Sequence, residues 1–410
     1  LQKGDVVMVQ LHNCPEFVFA YLACHKTGMV FCPVNFRLSA KEITDCMDNS
    51  RPKVFLLEPE TQAEVDMALR RTAHAPQILL TTDARAAHAY AGFTADCPAT
   101  EPELPWELSV YDETLRLFTS GTTGRQKSVC LTSINEVLSA HDVMIHFPFS
   151  FTDRSMNTTP WFHRGGLHSG GPTATLYAGA SLVVMRMFGA KACFDAVGRY
   201  GVTFLIGVPS ALEKLAARQE KHPADLSGLH GIVTMGSPLE RESCIRFQRL
   251  LTPRIFNGYG TTETFWNSFL RPDDLPQMAG SAGRACTDDE VRVVALHEGR
   301  DASPDETVPT DGETPGEIIL FAPYKSALCY TQNPALTPKA NCRKMNTNEV
   351  VSLTPATSCA VRVWPTMAAS LMVYTCCSRY DRITGRENCK MVRQQVPWVR
   401  STGWNRSRRA

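Results

Sequence analysis

Four short segments of this 410-residue chain place hydroxyls, glycines, a lysine and a glutamate at spacings that could handle phosphate. The first is Thr119, Ser120, Gly121, Thr122, Thr123, Gly124, Arg125, Gln126 and Lys127. Its glycines allow tight turns and close backbone approach to an anion. Its four hydroxyls can hydrogen-bond phosphate oxygens, and Lys127 can neutralise their charge. It is not the P-loop of NTPases, because Gln126 stands where Gly must precede Lys. The plain alternative is a flexible polar loop. The second runs Asn257, Gly258, Tyr259, Gly260, Thr261, Thr262, Glu263. Glu263 is a hard oxygen ligand suited to Mg²⁺, Thr262 can reach phosphate or metal, and Tyr259 offers a flat face to a purine. Alone, this segment is equally a turn from strand to helix. The third, Pro160 to Gly166, sets His163 among aromatics, where a lone histidine is commonly a satisfied core residue. The fourth, Met235 to Leu239, holds Gly236, Ser237 and Pro238 and by itself reads as an ordinary turn.

The elements around these segments alternate between helix and strand signals. Asn13 and Glu16 make a capping-box pattern ahead of an apolar run, Phe17 to Cys24, which stops at Gly28. Strand-length runs follow at Met29–Val34, Lys53–Leu57 and Leu115–Phe118, with a second capping pattern at Ser39 and Glu42. Thr203–Val208 and Gly231–Met235 read as strands followed by helices over Ser210–Gln219 and Leu239–Leu250, and Arg254–Asn257 as a short strand. Strands interleaved with helices predict an α/β fold with largely parallel sheets. The motifs then fall at the carboxyl ends of strands, where open α/β sheets bind ligands. After about residue 285 the alternating runs Val291–Leu296 and Glu317–Phe321, separated by a polar loop over 298–316, predict a small antiparallel unit.

Composition narrows the class. Apolar residues are 43% and charged residues 20%, enough for a sizeable core. Net charge is +1, which argues against a general polyanion binder such as a nucleic-acid-binding protein. No apolar run of 18 residues suggests a membrane span. The 15 cysteines show no paired zinc spacing, and a reducing, cytoplasmic setting is the default. Residue 1 is Leu within a plausible element, so the start reads as cut and a lost leader stays open. The charge is split: residues 1–320 carry 28 Lys+Arg against 38 Asp+Glu, and residues 321–410 carry 14 against 3.

In order and separation, the four segments resemble those of the AMP-forming acyl-CoA synthetases, a superfamily that includes luciferases and peptide-synthetase adenylation domains. The resemblance covers roughly residues 1–338. Gly280 to Gly283, Pro315 to Ile318, and Tyr330, Asn333, Pro334 and Thr337 look like later family landmarks. It implies two stacked sheet-and-helix subdomains over 1–285, a small β-rich subdomain over 286–338, and an atypical tail over 339–410. It also implies the chemistry: ATP and Mg²⁺ activate a carboxylic acid to an acyl-adenylate, and coenzyme A takes the acyl group. Thr119 to Lys127 would hold the β- and γ-phosphates. Gly236, Ser237 and Pro238 would line an adenine pocket with Asn257 and Tyr259, and Gly260 and Thr261 would also belong to the nucleotide site. Thr262 would touch the α-phosphate, Glu263 would bind Mg²⁺, and His163 would stand beside the reacting carboxylate in a positional role. Amino-acid-activating relatives resemble Phe-Asp at Phe162 and His163. Because this chain has histidine there, an acyl or aryl acid fits better than an α-amino acid.

The chain departs from the pattern in two places. Gln126 replaces a proline and Ser128 a glycine, and a serine at a position needing positive φ would cost about 1 kcal/mol. Residues 339–410 show neither the family's Thr-Gly-Asp segment nor its late Gly-Lys motif; Thr384 and Gly385 are followed by Arg386. Read two bases along, the codons for Thr354 to Thr357 permit Thr-Gly-Asp, and those for Trp364 to Leu371 permit an acidic-glycine-aromatic run. The tail therefore reads as a frameshifted C-terminal domain, with Trp364–Val373 its only candidate packed element. A truncated ATP-binding pseudoenzyme is the competing reading. A basic nucleic-acid arm and a metal site at Cys376, Cys377 and Cys389 find little support in the pattern.

Overall fold

Buried apolar runs dictate the first sheet. In a computed structural model, which describes residues 1–119, 127–298, 300–311, 314–322 and 325–326 and the backbone of 329–330 and 351–352, Val6–Gln10 forms strand β1 with four of five side chains buried. Such two-sided burial suits a central parallel strand. Helix α1 (Pro15–Thr27) starts with proline in its first turn and ends at Gly28, whose φ of 75° is left-handed. The capping box expected of Asn13 and Glu16 does not form. The N-cap is Cys14, and Asn13 instead bridges away from the helix, donating to the Thr159 carbonyl (3.0 Å) and accepting from the Trp161 N–H (2.9 Å). Strand β2 (Val30–Pro33) follows, then helix α2 (Ala40–Ser50), where Ser39 and Glu42 do form the expected box. Next come β3 (Val54–Leu57), helix α3 (Gln62–Leu69), β4 (Ile78–Thr81), a short helix α4 (Tyr90–Thr94), and the antiparallel pair β5 (Glu113–Thr119) and β6 (Lys127–Thr132). The order is β4-β3-β1-β2-β5-β6, parallel up to β5.

Helix α5 (Ser133–His146) leads into the second sheet. Its elements in chain order are β7 (Arg154–Asn157), α6 (Arg164–His168), α7 (Pro172–Tyr177), β8 (Ser181–Leu182), α8 (Ala190–Tyr200), β9 (Phe204–Gly207), α9 (Pro209–Lys221), β10 (Gly231–Met235), α10 (Arg241–Leu250), β11 (Ile255–Thr261), β12 (Phe265–Leu270) and β13 (Arg284–Ala285). The order β8-β7-β9-β10-β11-β12-β13 is parallel through β11 and antiparallel beyond it. The small antiparallel sheet follows: β14 (Glu290–Val294) pairs with β15 (Glu317–Phe321), which pairs with a two-residue strand at 351–352; the strand at 329–330 extends the first sheet beside β6. The fold is thus the expected α/β pair of sheets with a small β unit. The tail readings, Trp364–Val373 among them, lie outside the described residues.

The two sheets share buried contacts. Trp161, from the second, packs edge-on against Phe17 of α1 with ring centroids 5.6 Å apart. Glu136 of α5 is buried between them. It accepts from Tyr21 Oη (2.5 Å) and Thr114 Oγ1 (2.7 Å), pairs with His25 Nε2 (2.8 Å), and lies 3.7 Å from His168 Nε2 of α6. Burial opposes its charge, but His25, His168 and Tyr21 outweigh burial and hold its pKa at about 2.

Candidate active site

The carboxyl ends of four parallel strands meet at one cavity of about 430 Å³. Thr159 follows β7, Val208 follows β9, Met235 and Gly236 end β10, and Gly258, Gly260, Thr261 and Thr262 come from β11 and the turn beyond it. Helix α6 forms one wall with His163, Arg164, Gly165, Gly166 and Ser169, and Phe265 and Trp266 of β12 close another. Their rings stack with centroids 4.8 Å apart and planes 15° from parallel.

Glycines shape this space. Gly236 has a φ of 82° and open room at the Cβ position apart from Val208, 3.6 Å away. A Cβ on Gly166 would fall 2.0 Å from the Pro160 carbonyl oxygen, and one on Gly260 would fall 1.5 Å from that of Phe265. Both positions therefore require glycine for close packing of the chain on itself.

Of the residues singled out in the sequence, His163, Gly236, Gly260, Thr261 and Thr262 line the cavity together. Asn257 and Tyr259 flank Gly258 on β11 without lining it, and the Asn257 Oδ1 is buried with no hydrogen-bond partner among the described residues. Ser237 and Pro238 are exposed just beyond Gly236. Glu263 is half-buried in the turn after Thr262. The segment 257–261 forms the carboxyl end of β11, as the sequence predicts, although the strand runs on to Thr261 rather than stopping at Asn257; it folds back into β12 as a hairpin, so the alternative of a turn from strand to helix is corrected. Thr119 and Lys127 face each other across the base of the β5–β6 hairpin and are not in the lining. Ser120, Gly121, Thr122, Thr123, Gly124 and Gln126 lie outside the described residues. Ser128 is a strand residue paired with Phe118, without positive φ, and its hydroxyl donates to Asn49 Oδ1 (2.6 Å); the strain expected there does not arise.

Electrostatics come from two histidines and an arginine that composition alone hides. His163 opens toward solvent, yet the surrounding protein desolvates it and lowers its pKa below the ordinary imidazole value. Its ring packs on Phe162, which meets Phe36 edge-on; Phe36 in turn stacks on His12 at 3.8 Å. His12 Nδ1 reaches Glu58 Oε2 at 2.5 Å, and Arg186 Nη1 pairs with Glu58 Oε1 at 2.7 Å. Sequence reading missed His12 and Phe36, because neither sits in a motif. It also missed Arg164, buried at 2% exposure, whose guanidinium donates to the Thr262 carbonyl (2.5 Å), to Ser139 Oγ (3.1 Å) and to the Lys325 carbonyl (3.0 Å).

Among the described residues, no group of three His, Cys, Asp or Glu side chains converges to hold a metal by itself. Mg²⁺ is commonly held by one or two carboxylates with substrate phosphates completing its shell, and Glu263 beside the cavity-lining Thr262 fits that mode.

A model of the AMP-binding enzyme family matches residues 1–328. The chain belongs to this family. Among relatives, it is 32% identical over 315 residues to an indoleacetate–CoA ligase of Aromatoleum aromaticum, covering 76% of this chain and 59% of that protein. A feruloyl-CoA synthase of an Amycolatopsis species is 28% identical, over 79% of this chain and 61% of its own length. The chain thus spans about three fifths of the curated relatives it matches. An anthranilate–CoA ligase solved with anthranoyl-AMP shares the fold with a TM-score of 0.74 and 18% identity, covering 86% of this chain and 64% of the other. The indoleacetate and feruloyl relatives are both named for joining an acid to coenzyme A. Among the described residues no helix is long and apolar enough to cross a membrane.

Proposed function

We propose that this chain is the adenylate-forming core of a carboxylic acid–CoA ligase acting on an aryl or acyl acid in the cytoplasm. One observation carries the reading: a cavity at the carboxyl ends of β7, β9, β10 and β11 gathers His163, Gly236, Gly260, Thr261 and Thr262. A carboxylate oxygen of the acid bonds to the α-phosphorus of ATP. The bond from that phosphorus to the pyrophosphate oxygen breaks, and pyrophosphate leaves with the electron pair. The coenzyme A sulfur then bonds the acyl carbon, AMP departs, and the thiol proton goes to solvent.

In this reading Gly236 leaves room for the nucleotide, Gly258 and Gly260 let Trp266 and Phe265 close against β11 beside it, and Ser237, Pro238, Asn257, Tyr259 and Thr261 stand around the base. Thr262 binds the α-phosphate and Glu263 the metal. Bound Mg²⁺ would neutralise charge on the leaving pyrophosphate. The Thr119 to Lys127 segment holds the outer phosphates, the role its resemblance to the family's phosphate motif implies. Neutral His163 orients the acid rather than moving a proton. The aryl preference is supported by the stacked Phe265 and Trp266 wall and by relatives named for indoleacetate and ferulate. The absence of the Thr-Gly-Asp and Gly-Lys patterns from 339–410 favours a second reading, a core that binds ATP and acid without turnover.

Acid-dependent exchange of labelled pyrophosphate into ATP decides between them. Exchange with aryl or fatty acids supports the ligase reading. Nucleotide binding without exchange supports the second. Exchange with amino acids alone overturns both in favour of a peptide-synthetase-type domain.

A further inference from the structure

The turn between β11 and β12 carries Thr262 and Glu263, and its backbone is strained. Phe265 opens β12 with a φ of 61°, in the left-handed region that a bulky side chain rarely enters. The pairing of the two strands also shifts register at Tyr259 and Gly260. A non-glycine residue holds such a conformation only where its surroundings over-determine it, and strain of this kind collects at functional sites.

One buried lysine from another part of the chain grips this turn. Lys325 follows β15, is 4% exposed and stands outside the cavity lining. Its base is fixed: the Lys325 carbonyl accepts from Arg164 Nη2 (3.0 Å) and the Ser326 carbonyl from Asn135 Nδ2 (3.2 Å). An ammonium has three donors, and here each has an acceptor: Asp142 Oδ2, the Trp266 carbonyl oxygen at 2.5 Å and Asp289 Oδ2 at 2.8 Å. The second bond holds the residue directly after Phe265. The third starts a line to the cavity. Asn267 Nδ2 donates to Asp289 Oδ2 (3.2 Å), and Thr264 Oγ1 donates to Asn267 Oδ1 (2.6 Å). Thr264 has then spent its proton, so Thr261 Oγ1 is the donor in their 3.0 Å contact, and Thr261 lines the cavity. Burying a cation beside two carboxylates is a weak way to stabilise a fold, because desolvation offsets much of the attraction. Resting on the reading above, in which Thr262 meets the α-phosphate and Glu263 the metal, we propose that Lys325 is a positioning residue. Its ammonium locks the β11–β12 turn in the strained form that presents both groups to ATP·Mg²⁺.

Pyrophosphate exchange by the full chain, with ATP·Mg²⁺ and an aryl acid varied in turn, reads this role. Lys325→Met should raise KM for ATP·Mg²⁺ about tenfold to a hundredfold while moving KM for the acid less than about threefold. The Mg²⁺ concentration for half-saturation at fixed ATP should rise in parallel. Lys325→Arg, which keeps a cation and its donors, should recover part of the loss. Lys325→Met strands two buried carboxylates and can fail to fold, so a second variant strands no charge. Thr264→Val breaks only the line to Thr261 and should raise KM for ATP·Mg²⁺ about threefold to tenfold, the worth of one hydrogen bond, with the acid KM unchanged. Equal rises for both substrates, or an ATP·Mg²⁺ KM that Thr264→Val leaves untouched, overturns the proposal. If no acid supports exchange, the ligase reading fails on its own, and calorimetry still tests Lys325 without turnover. ATP is then titrated into the native chain and Thr264→Val, with Mg²⁺ and with EDTA. Tighter binding with Mg²⁺ that the variant diminishes upholds the proposal. An undiminished gain, or no ATP binding by the native chain, overturns it.

Discussion

Arg164 Nη1 donates to the carbonyl oxygen of Thr262 at 2.5 Å, joining the first residue of α6 to the turn that carries Glu263. The same guanidinium stacks over Phe265, 5.4 Å from its centroid. One planar, charged fork therefore fixes the His163 wall, the β11–β12 turn and the aromatic wall at once. Arg164→Lys keeps the charge and loses the fork. It should weaken binding of ATP·Mg²⁺ about tenfold while changing aryl acid affinity less than threefold, as measured by calorimetry. Equal losses for both ligands would show a general structural role instead.

His163 should behave as a neutral group throughout the working range. Its desolvation lowers its pKa from the ordinary value, so no ionisation of His163 falls above about pH 6.5. His163→Ala should lower kcat/KM in pyrophosphate exchange about tenfold to a hundredfold through lost positioning, with the pH profile between 6.5 and 8 unchanged in shape. If a limb in that interval vanished in the variant, histidine would be acting as an acid or base.

Glu136 should set the acid limit of folding. Its pKa in the folded chain is about 2, below the ordinary 4.5, so its contribution is complete above pH 4.5 and is lost as pH falls toward 2. His25 beside it is opposed by burial, but the Glu136 charge and hydrogen bond raise its pKa; its share is present below pH 6.5 and lost as pH rises through that raised value. Glu136→Gln should flatten both limbs in denaturant titrations from pH 3 to 8 and lower stability by about 3–5 kcal/mol near neutrality, the cost of breaking a buried pair. Unchanged pH dependence would remove Glu136 from this role.

Lys325 pairs with Asp142 and, at 2.8 Å, with Asp289, and the three side chains are buried. Desolvation lifts Asp142 to about 6 despite the lysine, and it raises Asp289 as well. A raised carboxylate binds its proton more tightly when folded, so this cluster stabilises the chain less as pH climbs from about 4 through 6. Lys325→Met should deepen that loss, costing about 3–5 kcal/mol at pH 7 and less at pH 4.5. Chemical denaturation at the two pH values reads the difference, and an equal loss at both would refute it.

Much of this was legible in the chain. Strand-length apolar runs such as Lys53–Leu57 and Gly231–Met235 gave the sheets, because burial on both faces leaves no polar alternation. The Ser39 and Glu42 box was legible because it is local. The Asn13 pattern looked the same and failed, because Thr159 and Trp161, about 150 residues away, offered its amide two partners at once. The hairpin at 257–270 was missed because glycine-rich motif residues carry weak strand propensity, and pairing with Phe265–Leu270 overrides it. Arg164 was invisible as a site residue, since a charged side chain after histidine reads as surface until its burial is seen.

Asn13 has one more consequence, for recombination between relatives. The loop bearing His163 takes its position from a side chain that belongs to the first sheet's half of the chain. A hybrid that joins the second sheet of this protein to the first sheet of another inherits that loop without its anchor unless position 13 travels with it. Two lobes that look separable at the β6–α5 junction are therefore a single unit of inheritance as far as the cavity is concerned, and the crossover point that preserves function lies upstream of residue 13.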